Sequence, residues 1–530
     1  MKLQLNDHFN QELPADPQLA NQRRQVSGAA FSFVTPRVPS APQLLHASAE
    51  VAELIGLSAE DLASNEFLEI FSGGRVPAGA KPYAMCYGGH QFGNWAGQLG
   101  DGRAINLCEV QHQDKRWTLQ LKGAGETPYS RTADGLAVLR SSLREHLCSE
   151  AMFHLGVPTT RSLSLIATGD DVMRDMMYDG NAAYEPGAVV CRVAPSFIRF
   201  GNFQIFAANG DVENLRQLAD YTIKHYFQNV TANHDVDSYT ANDYIHFFRQ
   251  VTDRSLDMVI HWQRVGFVHG VMNTDNMSIH GDTIDFGPYG WLEGYDHDWT
   301  PNTTDRQHRR YRYGHQPQIV LWNLLQLANA LYPLVEAVEP FQEILGDFQS
   351  QFQLKYNKML GAKIGLGDVT SADYRLLADL EQTLQLTETD MTIFFRLLSQ
   401  IDKSSSDESH EDALELVADA FYQPTELTDN VKTKWRDWFR DYRARLNKTD
   451  QSDAERAAAM NAVNPKYVLR NYMAQLAIDK ATAGDVALIE ELHQLLKRPY
   501  DEQREDQKWF AKRPEWARNK VGCSMLSCSS

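Results

Sequence analysis

The chain has 530 residues, 43% of them hydrophobic and 10% aromatic, enough to bury a large core as two or three closely packed subdomains. A formal charge of −18 argues against broad binding to nucleic acid or an anionic membrane, while a few placed arginines could still handle phosphate. Six cysteines are too sparse for a disulfide scaffold and lack Cys-x-x-Cys spacing, which argues against a structural zinc site.

The first residues, Met1-Lys2-Leu3-Gln4-Leu5-Asn6-Asp7, lack the apolar run of a signal peptide. No later run approaches the length of a membrane span, so a soluble cytoplasmic protein is expected. Residues 1–75 read as an N-terminal extension wrapped on the main body. It carries a helical pattern from Ala47 to Ile55, and Ser58-Ala59-Glu60-Asp61 caps the next helix.

A glycine-dense stretch follows, Tyr87-Gly88-Gly89-His90-Gln91-Phe92-Gly93 and Gln98-Leu99-Gly100-Asp101-Gly102-Arg103. Its backbone can turn tightly and approach a ligand, and Arg103 beside open amides suits an anion. Trp117 to Lys122 alternates as a strand with Lys122 on the polar face. A helical pattern then runs from Gly135 to Leu155, with Leu136, Leu139, Leu143, Leu147 and Phe153 as its apolar stripe and Glu145 in the middle. Strand lysine followed by helix glutamate is how kinases fix a phosphate-binding lysine. Either residue alone reads as solvent-exposed; the loop downstream favours the pair.

Val189 to Phe203 places Arg192 on a strand-like run and Arg199 beyond the break at Pro195. Arginines in such apolar company need anionic partners, either structural carboxylates or the phosphates of a nucleotide. Helices are expected over Asn214–Asn229 and Asp243–Val265, leading into His269-Gly270-Val271-Met272-Asn273-Thr274-Asp275-Asn276 and, after a short hairpin, Asp285-Phe286-Gly287. In that hairpin Met277-Ser278-Ile279 and Thr283-Ile284 are strand-like, and His280-Gly281-Asp282 turns between them. His269, Asn276 and Asp285 fall in the register of a kinase metal loop, in which the Asn and the second Asp hold Mg²⁺ on the phosphates. The position of the proton-accepting Asp is Val271, which cannot take a proton; the carboxylate in the loop is Asp275 instead. His261 and His269 read as packing or loop-orienting residues.

Asp296 to Gln316 is polar and stands where an activation-type segment belongs. Residues 317 to about 400 form long amphipathic helices with Val320, Leu324, Leu327 and Leu331 as one stripe, and Ser404 to Ser409 is a polar break. The whole reads as an α+β, protein-kinase-like bilobal fold with additional C-terminal helices. Its parts are an N-lobe with nucleotide-binding loops (76–205), a C-lobe with the catalytic and metal loop (206–316), a helical part (317–500) and a tail (501–530).

With these motifs in hand, the chain closely resembles the selenoprotein O, or YdiU, family of protein adenylyltransferases over most of its length. The resemblance rests on Gly88-Gly89-His90-Gln91-Phe92-Gly93, Gly100-Asp101-Gly102-Arg103, Leu121-Lys122-Gly123-Ala124-Gly125, His269 to Met277, Asp285-Phe286-Gly287-Pro288, and Cys528 third from the end. It implies a kinase-like fold with ATP bound in flipped orientation. It also implies transfer of AMP, with loss of pyrophosphate, to Ser, Thr or Tyr hydroxyls of proteins, self-modification included, and no nucleic-acid or membrane partner. By the same resemblance Gly100, Gly102, Arg103, Lys122, Asp134, Gly135, Arg192, Arg199 and Asp285 contact the nucleotide. Asn276 and Asp285 bind Mg²⁺, or Mn²⁺ in its place, Glu145 holds Lys122, and Asp275 is the base. Members with selenocysteine carry a Cys three residues before it, where this chain has Met525. Cys528 is then a redox candidate whose partner, if any, is Cys523 or a more distant thiol, or else an idle thiol in the tail. An ordinary phosphotransferase and a non-catalytic, redox-responsive nucleotide-binding scaffold are the competing readings.

Overall fold

A computed structural model describes residues 1–230, 239–403 and 407–527. Its centre is a seven-stranded sheet built from β1 (Phe31–Phe33), β2 (Gln43–Ala47), β3 (Tyr83–Met85), β6 (Ala104–His112), β7 (Lys115–Lys122), β8 (Arg161–Arg174) and β9 (Ala183–Ala194). The order is β1-β3-β6-β7-β9-β8-β2, and every neighbouring pair is antiparallel. A separate two-stranded ribbon, β4 (Gly88–Gln91) with β5 (Asn94–Gln98), carries the first glycine cluster. The N-terminal segment expected to wrap the body therefore supplies both edge strands of its main sheet.

Alternation along β7 does what the pattern predicts: Leu119 and Leu121 enter the core, while Gln120 and Lys122 share the opposite face. Cross-strand register sets Gln120 opposite Arg192 and Lys122 opposite Val190, so Arg192 of β9 joins that face. The Leu139–His154 helix packs against β8 and β9. The Asn471–Thr482 and Ala487–Leu496 helices cover its other side, which is why it is buried along nearly its whole length. The helix starts at Leu139 and not at Gly135: Gly135 has φ +71°, and its backbone lies so close to Gly125 that a Cβ would run into the carbonyl oxygen there. Phe153 is 45% exposed and leaves the expected stripe, with the Arg161 guanidinium 3.5 Å above its ring.

Local signals account for most helix starts. Ser58 and Asp61 form a capping box, as do Thr240 with Asp243 ahead of the Ala241–Val265 helix and Ser452 with Glu455 ahead of Asp453–Val463. The Gln316–Val335 helix has Pro317 in its first turn and buries Val320, Leu324, Leu327 and Leu331. Among the described residues two apolar clusters result: one runs from Phe9 through the sheet to Cys523, and the other gathers the later helices around Phe394, Trp435 and Phe439. Of the expected break at Ser404 to Ser409, residues 404–406 lie outside the described residues, and Asp407 already opens the Asp407–Leu416 helix.

Between Asn276 and Asp285 the two short runs do not pair with each other. Ser278 bridges Arg199 and Thr283 bridges Thr159, so the segment is sewn outward into its neighbours, and Gly281 at φ +74° makes the turn. Farther on, Asn302 Nδ2 donates to Gly270 O (3.0 Å), Thr303 N to Leu526 O (2.7 Å) and Leu526 N to Pro301 O (3.1 Å). The next residue, Ser527, donates its hydroxyl to Met176 O in the turn between β8 and β9. Among the described residues no helix is long and apolar enough to cross a membrane.

Candidate nucleotide site

One cavity of about 650 Å³ collects eleven residues singled out from sequence: Gly100, Gly102, Arg103, Lys122, Asp134, Gly135, Arg192, Arg199, Asp275, Asn276 and Asp285. Its size is that of a small-molecule site. Glu145 stands behind its wall, fully buried on the Leu139–His154 helix. Cys528 lies outside the described residues.

The wall is a chain of ion pairs. Lys122 Nζ donates to Glu145 Oε2 (2.5 Å), and Glu145 Oε1 accepts from Arg192 Nη1 (3.1 Å). Arg192 Nη1 also reaches Asp285 Oδ1 (2.7 Å), while the other oxygen of Asp285 accepts from Arg199 Nη1. Arg192 is anchored further by Gln120 Oε1, its cross-strand neighbour. Both arginines are almost fully buried, so the carboxylates answer the need that sequence left open between carboxylate and phosphate. Burial opposes ionisation of Glu145, but Lys122 and Arg192 hold its carboxyl below the usual range. Burial, with Arg103 and Arg192 nearby, pulls Lys122 down to about 7 against the opposing charge of Glu145. Arg103, just before β6, faces the cavity, and its guanidinium has no hydrogen bond or ion pair among the described residues, its backbone carbonyl accepting from Gly123 N. Asp285 has φ +58°, a conformation that costs a non-glycine residue on the order of 1 kcal/mol and is typical of functional sites.

Asp275 sits in the short turn Thr274–Asn276, held on several sides. His90 N donates to Thr274 Oγ1 (2.7 Å), Thr274 Oγ1 to Gln204 Oε1 (2.6 Å), and Arg199 Nη1 to Asp275 O (2.9 Å). Asn273 Oδ1 accepts from Tyr311 OH (2.6 Å) and from Phe92 N (3.2 Å). The Asp275 carboxylate itself is sparsely served: Oδ2 accepts one long bond from Gln91 Nε2 (3.3 Å), and Oδ1 is buried with no partner among the described residues. Burial accordingly pushes its carboxyl up to about 6, with Gln91 and Arg199 pulling the other way. Val271 lines the same cavity and offers no proton acceptor. His269 is buried, stacks on Trp262 and bonds Ile284 O (2.8 Å), which makes it a loop-orienting residue as expected.

For a divalent cation the available donors are hard oxygens, the Asp285 carboxylate and the Asn276 amide. The Asn276 Nδ2 is spent on Val271 O (2.9 Å), which fixes the amide so that Oδ1 is its remaining ligand atom. This donor set suits Mg²⁺ or Mn²⁺ and not a softer ion.

Several residues of the site were not singled out from sequence. Arg174, near the end of β8, clamps Asp134 with two bonds (2.7 and 2.8 Å), so Asp134 already has a protein partner. Asp101 is buried beneath the site, accepting from Met85 N (3.0 Å) and Asn106 Nδ2 (3.2 Å), and Arg199 lies 3.8 Å from its other oxygen. Tyr129 packs on the glycines: a Cβ at Gly100, where φ is +76°, would collide with its ring. The Gly-Asp-Gly-Arg run could have flagged Asp101, whereas Arg174 and Tyr129 reach the site only through tertiary packing.

The model of the family described as protein adenylyltransferase SelO matches residues 18–497. Relatives named protein nucleotidyltransferase YdiU are 60% identical over 528 residues in Flavobacterium johnsoniae, 55% over 540 in Rhodopirellula baltica and 52% over 529 in an Azoarcus strain. Each alignment covers 100% of this chain and 99% of the relative. A match of that length and identity leaves one assignment: the chain belongs to the SelO family of protein adenylyltransferases.

Proposed function

We propose that this chain transfers AMP from ATP to hydroxyl side chains of proteins, with ATP bound in the orientation opposite to that in kinases. The reading rests on one observation. The ion-pair wall of Lys122, Glu145, Arg192, Asp285 and Arg199 and the poorly solvated carboxylate of Asp275 face one cavity, while Val271 stands where a kinase keeps its base. The γ- and β-phosphates lie among Lys122, Arg192 and Arg199, whose guanidinium forks suit phosphate oxygens, and Arg103 adds a charge without a protein partner. That leaves the α-phosphorus for the incoming hydroxyl.

The hydroxyl oxygen of a Ser, Thr or Tyr forms the new bond to the α-phosphorus, and the bond to the bridging oxygen of pyrophosphate breaks. Asp275 takes the hydroxyl proton; a carboxyl raised to about 6 is a stronger base than an ordinary one and is still ionised at neutral pH. A divalent cation held by Asn276 and Asp285 supplies charge neutralisation at the phosphates when bound. Glu145 keeps Lys122 aimed at the cavity, and Asp134 with Gly135 borders the nucleotide beside Arg174. The sheet-bearing part up to about residue 205 and the helical part after it act as the two lobes of a kinase-like body, with the cavity between them.

Intact mass of protein incubated with ATP and Mg²⁺ tests this reading. A gain of about 329 Da on a substrate protein or on the chain itself marks AMP, whereas about 80 Da marks phosphate and would replace it with phosphotransfer. No gain on any protein would favour a scaffold.

A further inference from the structure

Away from the cavity, three histidines meet where the last long helix crosses the sheet. His46 lies on edge strand β2, His146 follows Glu145 on the Leu139–His154 helix, and His493 with Glu490 belongs to the Ala487–Leu496 helix. The Glu-x-x-His spacing sets Glu490 and His493 on one helical face. His46 Nε2 is 2.9 Å from Glu490 Oε2, and donor atoms of His46, Glu490 and His493 all lie within 4.8 Å of one another.

Two features distinguish this group from an ordinary packed cluster. His493 is only 5% exposed, yet neither of its ring nitrogens has a hydrogen-bond partner among the described residues, a costly arrangement for a buried polar ring. The inner nitrogen of His46 is already braced: Nδ1 lies 2.7 Å from His146 Nε2, and His146 Nδ1 lies 2.6 Å from Ser162 Oγ. That relay is the second layer typical of a metal-bound imidazole, which donates its other N–H to a fixed acceptor.

We propose that His46 Nε2, His493 and Glu490 form a site for a borderline-soft divalent ion of the zinc class, with solvent as fourth ligand. Bonds of about 2 Å place tetrahedral donors about 3.3 Å apart, so a modest rotation of His493 and Glu490 closes the present spread. Glu490 is largely exposed and gives the ion a way in. The cysteine spacing speaks only against thiolate ligation; these ligands come from segments separated by more than 400 residues. A bound ion would pin the Ala487–Leu496 helix to the edge strand and to the helix that carries Glu145.

The test is zinc retention after chelator treatment and dialysis against Zn²⁺ with excess Mg²⁺, which saturates the hard-oxygen site. Wild type should keep one zinc per chain by elemental mass analysis and melt at a higher temperature with zinc than without it. Glu490→Gln should weaken binding at least tenfold and abolish the zinc-dependent rise in melting temperature; His493→Ala should lose the ion. X-ray absorption at the zinc edge of wild type should show imidazole nitrogen and oxygen with no sulfur, a readout that stands even if His493→Ala does not fold. Three outcomes overturn the site: no zinc kept by wild type, binding unchanged in Glu490→Gln, or binding lost instead in His8→Ala, which removes a donor from the separate His8, Glu12 and His225 group.

Discussion

Gly89 stands directly behind Asp275: a Cβ built on the glycine would lie 2.6 Å from Asp275 Oδ1 and 2.9 Å from its Cβ. The β4–β5 ribbon thus presses its bare backbone on the carboxylate proposed as base, a contact no side chain allows. Gly89→Ala should displace Asp275 by a few tenths of an ångström or more and cost about 1–3 kcal/mol in stability. Steady-state kinetics should show AMP transfer falling roughly 10- to 100-fold while ATP affinity, measured by calorimetry, stays near wild type.

Asp275→Ala should abolish transfer, by a factor of about 10²–10⁴ for loss of a general base, and still bind ATP. An intact rate in that variant would remove Asp275 from the mechanism.

Stability should move the other way in Asp275→Asn. Because burial raises the folded-state carboxyl from 3.8 to about 6, the folded protein holds this proton more tightly than the unfolded chain does. The resulting stabilisation is complete below pH 3.8 and lost as pH rises through about 6, so at neutral pH the ionised group is a net cost. The neutral amide avoids that cost. The Asp275→Asn variant should therefore exceed wild type by up to about 3 kcal/mol in denaturant melts at pH 7.5, with the gap closing towards pH 4.

The proposed role of Asp275 as base also predicts a pH dependence. kcat/KM for AMP transfer should climb with unit slope below about pH 6 and flatten above it, since only the ionised form accepts the hydroxyl proton. A profile flat from pH 5 to 8 would mean that another group limits the acid limb.

Glu145→Gln should be the most damaging conservative change in the wall. It leaves Lys122 buried without its counter-charge and Arg192 with Asp285 alone, an error on the order of 3–5 kcal/mol. Lys122→Met in the same background should recover part of that loss in a double-mutant cycle, because it removes the stranded cation.

Much of this site was legible as spacing. His269, Asn276 and Asp285 lie within one short stretch of chain, and Lys122 and Glu145 occupy adjoining elements, so local periodicity sufficed to place them. Their mutual geometry was not legible. Whether Arg192 and Arg199 face phosphate or carboxylate depends on Asp285, which comes roughly ninety positions later and has an unusual backbone angle. Arg174, Tyr129 and the bare contact of Gly89 arise from packing between distant segments, which carry no periodic mark. The strand-like runs at Met277 and Thr283 misled for a related reason: their partners, Arg199 and Thr159, are long-range, and a hairpin is only the nearest alternative.

The strip of chain from Leu526 to Ser527 works as a hasp. It is bonded on one side to the Pro301–Thr303 loop, itself tied to Gly270 beneath the cavity, and on the other to Met176 at the tip of the hairpin whose Arg174 and Tyr178 overhang it. Floor and overhang are therefore latched together by Leu526 and Ser527, which lie 223 and 351 positions along the chain from Thr303 and Met176 respectively. A movement of the hairpin away from that loop would have to break the Ser527–Met176 bond, so the position of the overhang depends on contacts made by Leu526 and Ser527.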